Sequence, residues 1–269
     1  VNAWLFVGQD AFTAELGLSL LDDPLGARLL AQVETLTGVE VCTPASRRRA
    51  ATWDTAILQP LLAAVAMTLA ARHTPPPDVV AGASLGALLA WAVATDQDPE
   101  RVVEVAAVRG RAMAACARAH PGGMIVVEDR HLDEALRRGR ANGVLDPAAR
   151  NVPGQWILSG DNAALRAVGA LARPVPVTGP WHSARMAAAE PEVRAALATL
   201  PDRPPRWPVI FDGAPLGDPG ALAVLTTPVH WLATLERLRG VDRMWVLGPA
   251  RVLRAQVRAV LGVEALEVT

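Results

Sequence analysis

The sequence contains no lysine. Its 26 non-histidine cations are all arginine, against 27 acids, for a formal net charge of -1. Such a balance provides no broad basic face for a nucleic-acid partner. The longest basic run, Arg47-Arg48-Arg49, reads as a solvated loop. Cysteine is scarce: Cys42 and Cys116 cannot build a disulfide framework, which fits a reducing cytosol. No histidine spacing resembles a metal site such as H-E-x-x-H, and no internal repeat is found. The N-terminal stretch lacks a basic region followed by a long apolar core, so no secretory signal is expected. The most apolar windows, Leu61 to Ala71 and Ala81 to Ala94, fall short of the ~18 residues of a membrane span and read as buried core. The expectation is a cytoplasmic protein with no membrane and no nucleic acid among its partners.

What is present is a chain of 269 residues, 51% of them hydrophobic, enough for one large core or a main domain with a smaller insert. Short apolar runs alternate with helical patterns, the mark of an α/β domain with a mostly parallel sheet. Strands are predicted at Trp4 to Val7, Val79 to Gly82, Val209 to Asp212 and Met244 to Leu247. Helices are predicted at Thr55 to Arg72, Leu85 to Ala94, Glu100 to Ala119 and Ala184 to Leu200. The third of these is announced by Asp98 as N-cap and Pro99 at its first position. The middle of the chain reads differently. Met124 to Val127, Leu132 to Asn142, Trp156 to Ser159, Ala163 to Ala172 and Val175 to Thr178 form a β-α-β-α-β series. That series predicts a small ferredoxin-like subdomain over 121–179, inserted in a larger body formed by 1–120 and 180–269. Turn residues at Pro121 to Gly123 and Gly179-Pro180 bracket it.

Three residues carry candidate chemistry. In Gly82-Ala83-Ser84-Leu85-Gly86 a β-branched run stops at a glycine and a helix begins just past it. This is a G-x-S-x-G elbow, whose sharp turn lifts a serine hydroxyl out of the sheet. The helix N-terminus behind it offers N–H groups to a developing oxyanion. A packing turn between strand and helix gives the same five residues. A serine nucleophile needs a base. His73 and His120 sit at helix ends and His131 in a charged stretch, whereas His182 lies at a strand-to-helix turn, where α/β sites gather their groups. A structural loop histidine is the alternative. Arg109 falls on the apolar stripe of its helix with Val102, Val105, Ala106 and Met113, while Arg111 groups with Glu104 and Arg118 on the polar face. A guanidinium there snorkels, joins a buried salt bridge, or opens onto a pocket as a fork for a substrate carboxylate.

Together these segments resemble the malonyl-CoA:acyl carrier protein transacylase family, which includes polyketide synthase acyltransferases. Phe6-Val7-Gly8-Gln9 resembles F-P-G-Q-G, Thr55 to Pro60 resembles T-x-x-x-Q-P, and Gly82 to Gly86 resembles G-H-S-L-G. Arg109 to Met113 resembles R-G-x-x-M, Asn151 to Gln155 resembles N-S-P-G-Q, and Gly179 to Met186 resembles G-x-F-H-S-x-x-M. Thr227 to Trp231 resembles S-P-V-R-W, and Gly248-Pro249 the C-terminal G-P. The resemblance implies an α/β-hydrolase-like large domain with an inserted ferredoxin-like subdomain. It implies Ser84 as nucleophile, His182 as base and later acid, and Arg109 as the malonyl carboxylate's partner. The backbone N–H groups of Gln9 and Leu85 would form the oxyanion hole, and the main-chain carbonyl of Val224 would orient His182. Trp181, Met113 and Asn151 would line the substrate pocket. The implied cycle is ping-pong, from malonyl-CoA or a related acyl-CoA to an acyl carrier protein, with no metal or bound cofactor. The departures are Ala83 in place of the histidine before the serine, Val7 and Asp10 in the first motif, and Trp181 where a smaller aromatic or serine is usual. An editing acyl hydrolase, a malonate decarboxylase accessory transacylase and a non-catalytic carrier-protein-binding scaffold are the competing readings.

Overall fold

A computed structural model describes residues 1–6, 8, 20–41, 43, 54–248 and 250–268. Strand β1 (Asn2–Phe6) leads to helices α1 (Pro24–Thr37) and α2 (Thr55–Arg72). Strand β2 (Val79–Gly82), α3 (Leu85–Ala94) and α4 (Pro99–Ala119) follow. A second set comprises β3 (Gly122–Glu128), α5 (Leu132–Arg140), β4 (Leu145–Ala149), β5 (Gln155–Asp161), α6 (Asn162–Val168) and β6 (Ala172–Val175). The chain then forms α7 (Glu190–Leu197), β7 (Val209–Phe211), β8 (Ala214–Pro215), α8 (Trp231–Arg237), β9 (Arg243–Leu247), α9 (Arg251–Leu261) and β10 (Leu266–Val268).

The larger sheet has the order β10-β9-β1-β2-β7-β8 and is parallel except for β8. Its central strand β1 is covered on both faces, so Ala3, Trp4, Leu5 and Phe6 are all buried and the strand reads as an unbroken apolar run. α3 is likewise apolar all round because it is enclosed by its neighbours. α4 starts where its cap predicts, with Asp98 accepting hydrogen bonds from the Glu100 and Arg101 N–H groups. α2 is, by length and composition alone, long and apolar enough to cross a membrane, which the shorter window in the sequence did not suggest. With 72% of it buried inside the fold, it is a core helix.

The smaller sheet is antiparallel with order β4-β5-β3-β6, a β-α-β-β-α-β arrangement with its own apolar core around Val127, Leu145 and Leu158. The sequence reading missed β4 because Pro147 argues against a strand. The structure accommodates it at a sheet edge, beside a register shift between Pro147 and Ala149. β6 occupies Ala172–Val175 rather than Val175 to Thr178, again an edge strand carrying a proline, Pro174. The helix expected over Ala184 to Leu200 is a 3-10 turn from Ala184 to Ala189 that becomes α-helical at Glu190. Pro191 lacks the N–H an uninterrupted helix would use there, so it sits in the first turn of a new one. Ala149 and Val229 form a parallel bridge, flanked by hydrogen bonds from Arg150 N–H to Val229 O and from Leu232 N–H to Arg150 O, which tie the small sheet to the large body.

His73 ends α2 between Trp4 and Trp245, with ring centroids 5.3 and 4.7 Å away, and its buried Nε2 has no partner among the described residues. Burial lowers its pKa from 6.5. The unfolded chain therefore takes up a proton near pH 6.5 that the folded chain resists. The stabilising contribution of neutral His73 is complete above that pH and is lost as the pH falls toward the lower folded value. Thermal unfolding at pH 8 and pH 5.5 should show a smaller acid-induced drop in melting temperature for His73→Phe than for the parent chain. Equal drops would contradict this.

Candidate active site

The end of β2 and the start of α3 make a turn that tolerates no side chain at position 82. A Cβ on Gly82 would lie 2.1 Å from the carbonyl carbon of Gly86 and 2.7 Å from the amide nitrogen of Ala87. The turn holds Ser84 at φ 55°, ψ -113°, a strained backbone for a residue with a Cβ. Its hydroxyl thereby projects from the sheet at the N-terminus of α3, as in a nucleophile elbow. The Gly86 and Ala87 N–H groups bond to the Ala83 and Ser84 carbonyls. The Leu85 N–H, in the first turn of α3, makes no backbone hydrogen bond among the described residues.

Ninety-eight residues further on, His182 places Nε2 at 2.8 Å from Ser84 Oγ. It too has a positive φ, 56°, and is only 8% exposed. The loop that carries it is anchored on both sides. Ser183 Oγ donates to the Pro180 carbonyl, Asp146 accepts from the Ala184 N–H, and Arg185 donates two parallel hydrogen bonds to Asp161 at 2.8 and 2.7 Å. Hydrogen bonding to Arg185 holds the Asp161 carboxyl below the usual carboxylate range. These anchors reach from the small sheet to the His182 loop, and the sequence reading did not identify them.

Arg109 completes the group. It is 2% exposed, donates from Nη2 to Ser84 Oγ at 2.9 Å and from Nη1 to Gln59 Oε1 at 2.7 Å. No acid among the described residues pairs with it, and burial pulls its pKa from 12.5 down to about 10. Among the described residues neither snorkelling nor a buried salt bridge accounts for it, and the cation is aimed into a cleft. Gln59, fully buried on α2, is a site residue the sequence reading passed over. The test that singled out Arg109 does not reach it, because α2 is buried along most of its length and offers no polar face for an inward amide to contrast with.

The cleft has a volume of about 150 Å³ and lies between Ser84, Arg109 and His182 on the large body and Met124 and Ile157 on the small sheet. Met113, Asn151 and Trp181 line it, as does Ala83. The Trp181 ring packs on Gly179, where an added Cβ would lie 2.4 Å from the indole. Gln9 lies outside the described residues; its neighbour Gly8 is at the cleft wall. Val224 and Thr227 both line a second cavity of about 10 Å³ beside His182, room for about one water, and the Thr227 backbone favours the protonated form of the ring. His182 Nδ1 itself makes no hydrogen bond of ordinary geometry among the described residues. Burial first, then the charge of Arg109, lower the His182 pKa from 6.5 to about 4. The ring is thus a neutral base facing a hydroxyl. Among the described residues no three His, Cys, Asp or Glu side chains gather to ligate a metal.

The geometry is that of a serine–histidine acyl-transfer site with a cation beside the serine that no acid among the described residues pairs. A family profile described as acyl transferase domain matches residues 3–212. The malonyl CoA-acyl carrier protein transacylase of Mycolicibacterium smegmatis is 31% identical over 240 residues, covering 81% of this chain and 82% of that protein. Among solved structures, the malonyl-CoA:acyl carrier protein transacylase of Xanthomonas oryzae pv. oryzae is similar with a TM-score of 0.87 at 25% identity, covering 99% of this chain and 93% of that one. MCAT of Mycobacterium tuberculosis follows at 0.84 and 28% identity, covering 99% and 96%. With the profile spanning most of the sequence and a relative above 30% identity along most of both chains, this protein belongs to the acyl transferase domain family.

Proposed function

We propose that the chain moves a malonyl group from coenzyme A to an acyl carrier protein through an ester on Ser84. The observation that carries this reading is the Ser84 hydroxyl held between a neutral imidazole at 2.8 Å and, at 2.9 Å, a guanidinium with no acidic partner among the described residues. His182 Nε2 takes the Oγ proton as Oγ attacks the thioester carbonyl. The Leu85 N–H, with that of Gln9 as the family resemblance implies, receives the oxyanion. Collapse expels the coenzyme A thiolate, which leaves with the proton from His182. The carrier-protein thiol then gives its proton to His182 and attacks the seryl ester, regenerating Ser84. No metal or bound cofactor enters this cycle.

Arg109 supplies the selection. Its closeness to Oγ matches an acyl group whose carboxylate sits one methylene from the reacting carbonyl, and its planar fork matches that carboxylate. A carboxylate that takes over Nη2 also relieves Oγ of a hydrogen bond that occupies one of its lone pairs. Substrate docking and nucleophile activation are thereby coupled.

The test is intact-mass spectrometry after mixing with malonyl-CoA. The expected result is a gain of one malonyl group, located on Ser84 by fragmentation, and its discharge by a phosphopantetheine-bearing carrier protein much faster than by water. Discharge by water alone at the same rate favours an editing hydrolase. No label from any carboxyacyl thioester overturns the reading.

A further inference from the structure

Gln59 is the group on which Arg109 rests, and it is an amide rather than an acid. α2 and α4 touch closely at Gly110, where an added Cβ would lie 2.6 Å from the Thr55 carbonyl oxygen and 3.3 Å from Gln59 Cβ. This contact brings the Gln59 side chain against Arg109, with no exposure to solvent. Its amide nitrogen donates to Thr55 Oγ1 at 2.8 Å and lies 3.2 Å from Met113 Sδ, so its oxygen is the atom turned toward Arg109. A neutral acceptor satisfies a guanidinium donor without cancelling its charge. A carboxylate of the same shape would satisfy the donor and cancel the charge, leaving nothing for an anionic substrate.

We propose that Gln59 is a positioning residue for carboxylate selection: it fixes the Arg109 guanidinium in the cleft while leaving its charge free, and so sets the preference for carboxylated over neutral acyl thioesters. The inference rests on the reading of Arg109 given under Proposed function. Gln59 is not among the residues that line the cleft, so it acts through Arg109.

The experiment measures kcat and KM for acylation of Ser84 by malonyl-CoA and by acetyl-CoA in the parent chain, Gln59→Glu and Thr55→Val. In Gln59→Glu the malonyl kcat/KM should fall about a hundredfold, chiefly through KM, with the acetyl value within about threefold, so that the preference reverses. Thr55→Val, which unties the amide with little change of shape, should show a smaller loss of about three- to tenfold confined to malonyl. A Gln59→Glu protein that keeps its malonyl preference, or loses both substrates equally, overturns the inference while leaving the proposed function standing. If that variant does not fold, Thr55→Val decides: an equal loss on both substrates, or none, overturns it. A parent chain with no preference for malonyl over acetyl defeats the reading of Arg109 and this inference with it.

Discussion

Arg109→Met is expected to lower malonyl transfer by about two to three orders of magnitude while changing acetyl transfer by no more than about threefold. Truncating one partner of a buried, hydrogen-bonded charge pair costs about 2–5 kcal/mol, and each ~1.4 kcal/mol is a factor of ten in rate. That loss applies only to a substrate that supplies the other charge. An acetyl group has no carboxylate and forfeits nothing but packing, which the methionine side chain largely replaces. The same substitution should leave the melting temperature unchanged or raise it. The folded chain buries this cation with no acid beside it among the described residues, at a cost an apolar side chain of similar length does not incur. A gain in stability together with a loss of one substrate separates a recognition residue from a structural one. Parallel kinetics on both thioesters and a thermal melt check the prediction. Equal losses on the two substrates, with a lower melting temperature, would make Arg109 structural.

The parts of this site that were legible in the sequence are those where a residue breaks its local pattern. Arg109 interrupts an apolar stripe on an amphipathic helix, so its face could be assigned before its contacts were known. The elbow was legible because a β-branched run must end where Gly82 allows the chain to turn, and the strand and helix bounds on either side agree with the sequence reading. Gln59 was not, because α2 is buried all round and has no polar face against which an inward amide stands out. The edge strands β4 and β6 were missed or displaced because their prolines oppose strand structure except at an edge, and which strand is an edge is a property of the sheet. His182 lies 98 residues from Ser84, and no local periodicity relates two residues that far apart. Family resemblance brought the pair together, and the structure then supplied the anchoring by Asp146, Asp161 and Arg185 that no motif contains.

The pH dependence of His182 is the second large effect. His182→Ala should reduce acylation of Ser84 by about 10²–10⁴-fold, the usual contribution of a positioned general base. In the parent chain, burial and the Arg109 charge hold the His182 pKa at about 4 instead of 6.5, so the imidazole is neutral and able to accept the Ser84 proton far into the acid range. kcat/KM, which reports the free enzyme, should therefore show no acid limb near pH 6.5 and begin to fall only as the pH approaches the lower value. Two comparisons fix the cause. Arg109→Met removes one of the two influences that lower the pKa, so its acid limb, followed with acetyl-CoA, should move toward neutral pH. Bound malonate-like carboxylate neutralises the same charge, so the acid limb of kcat for malonyl-CoA should lie above that of kcat/KM, while for acetyl-CoA the two should coincide. A limb at pH 6.5 in every profile would show that His182 titrates as an ordinary exposed histidine. The guanidinium beside the serine would then have no hand in keeping its base unprotonated.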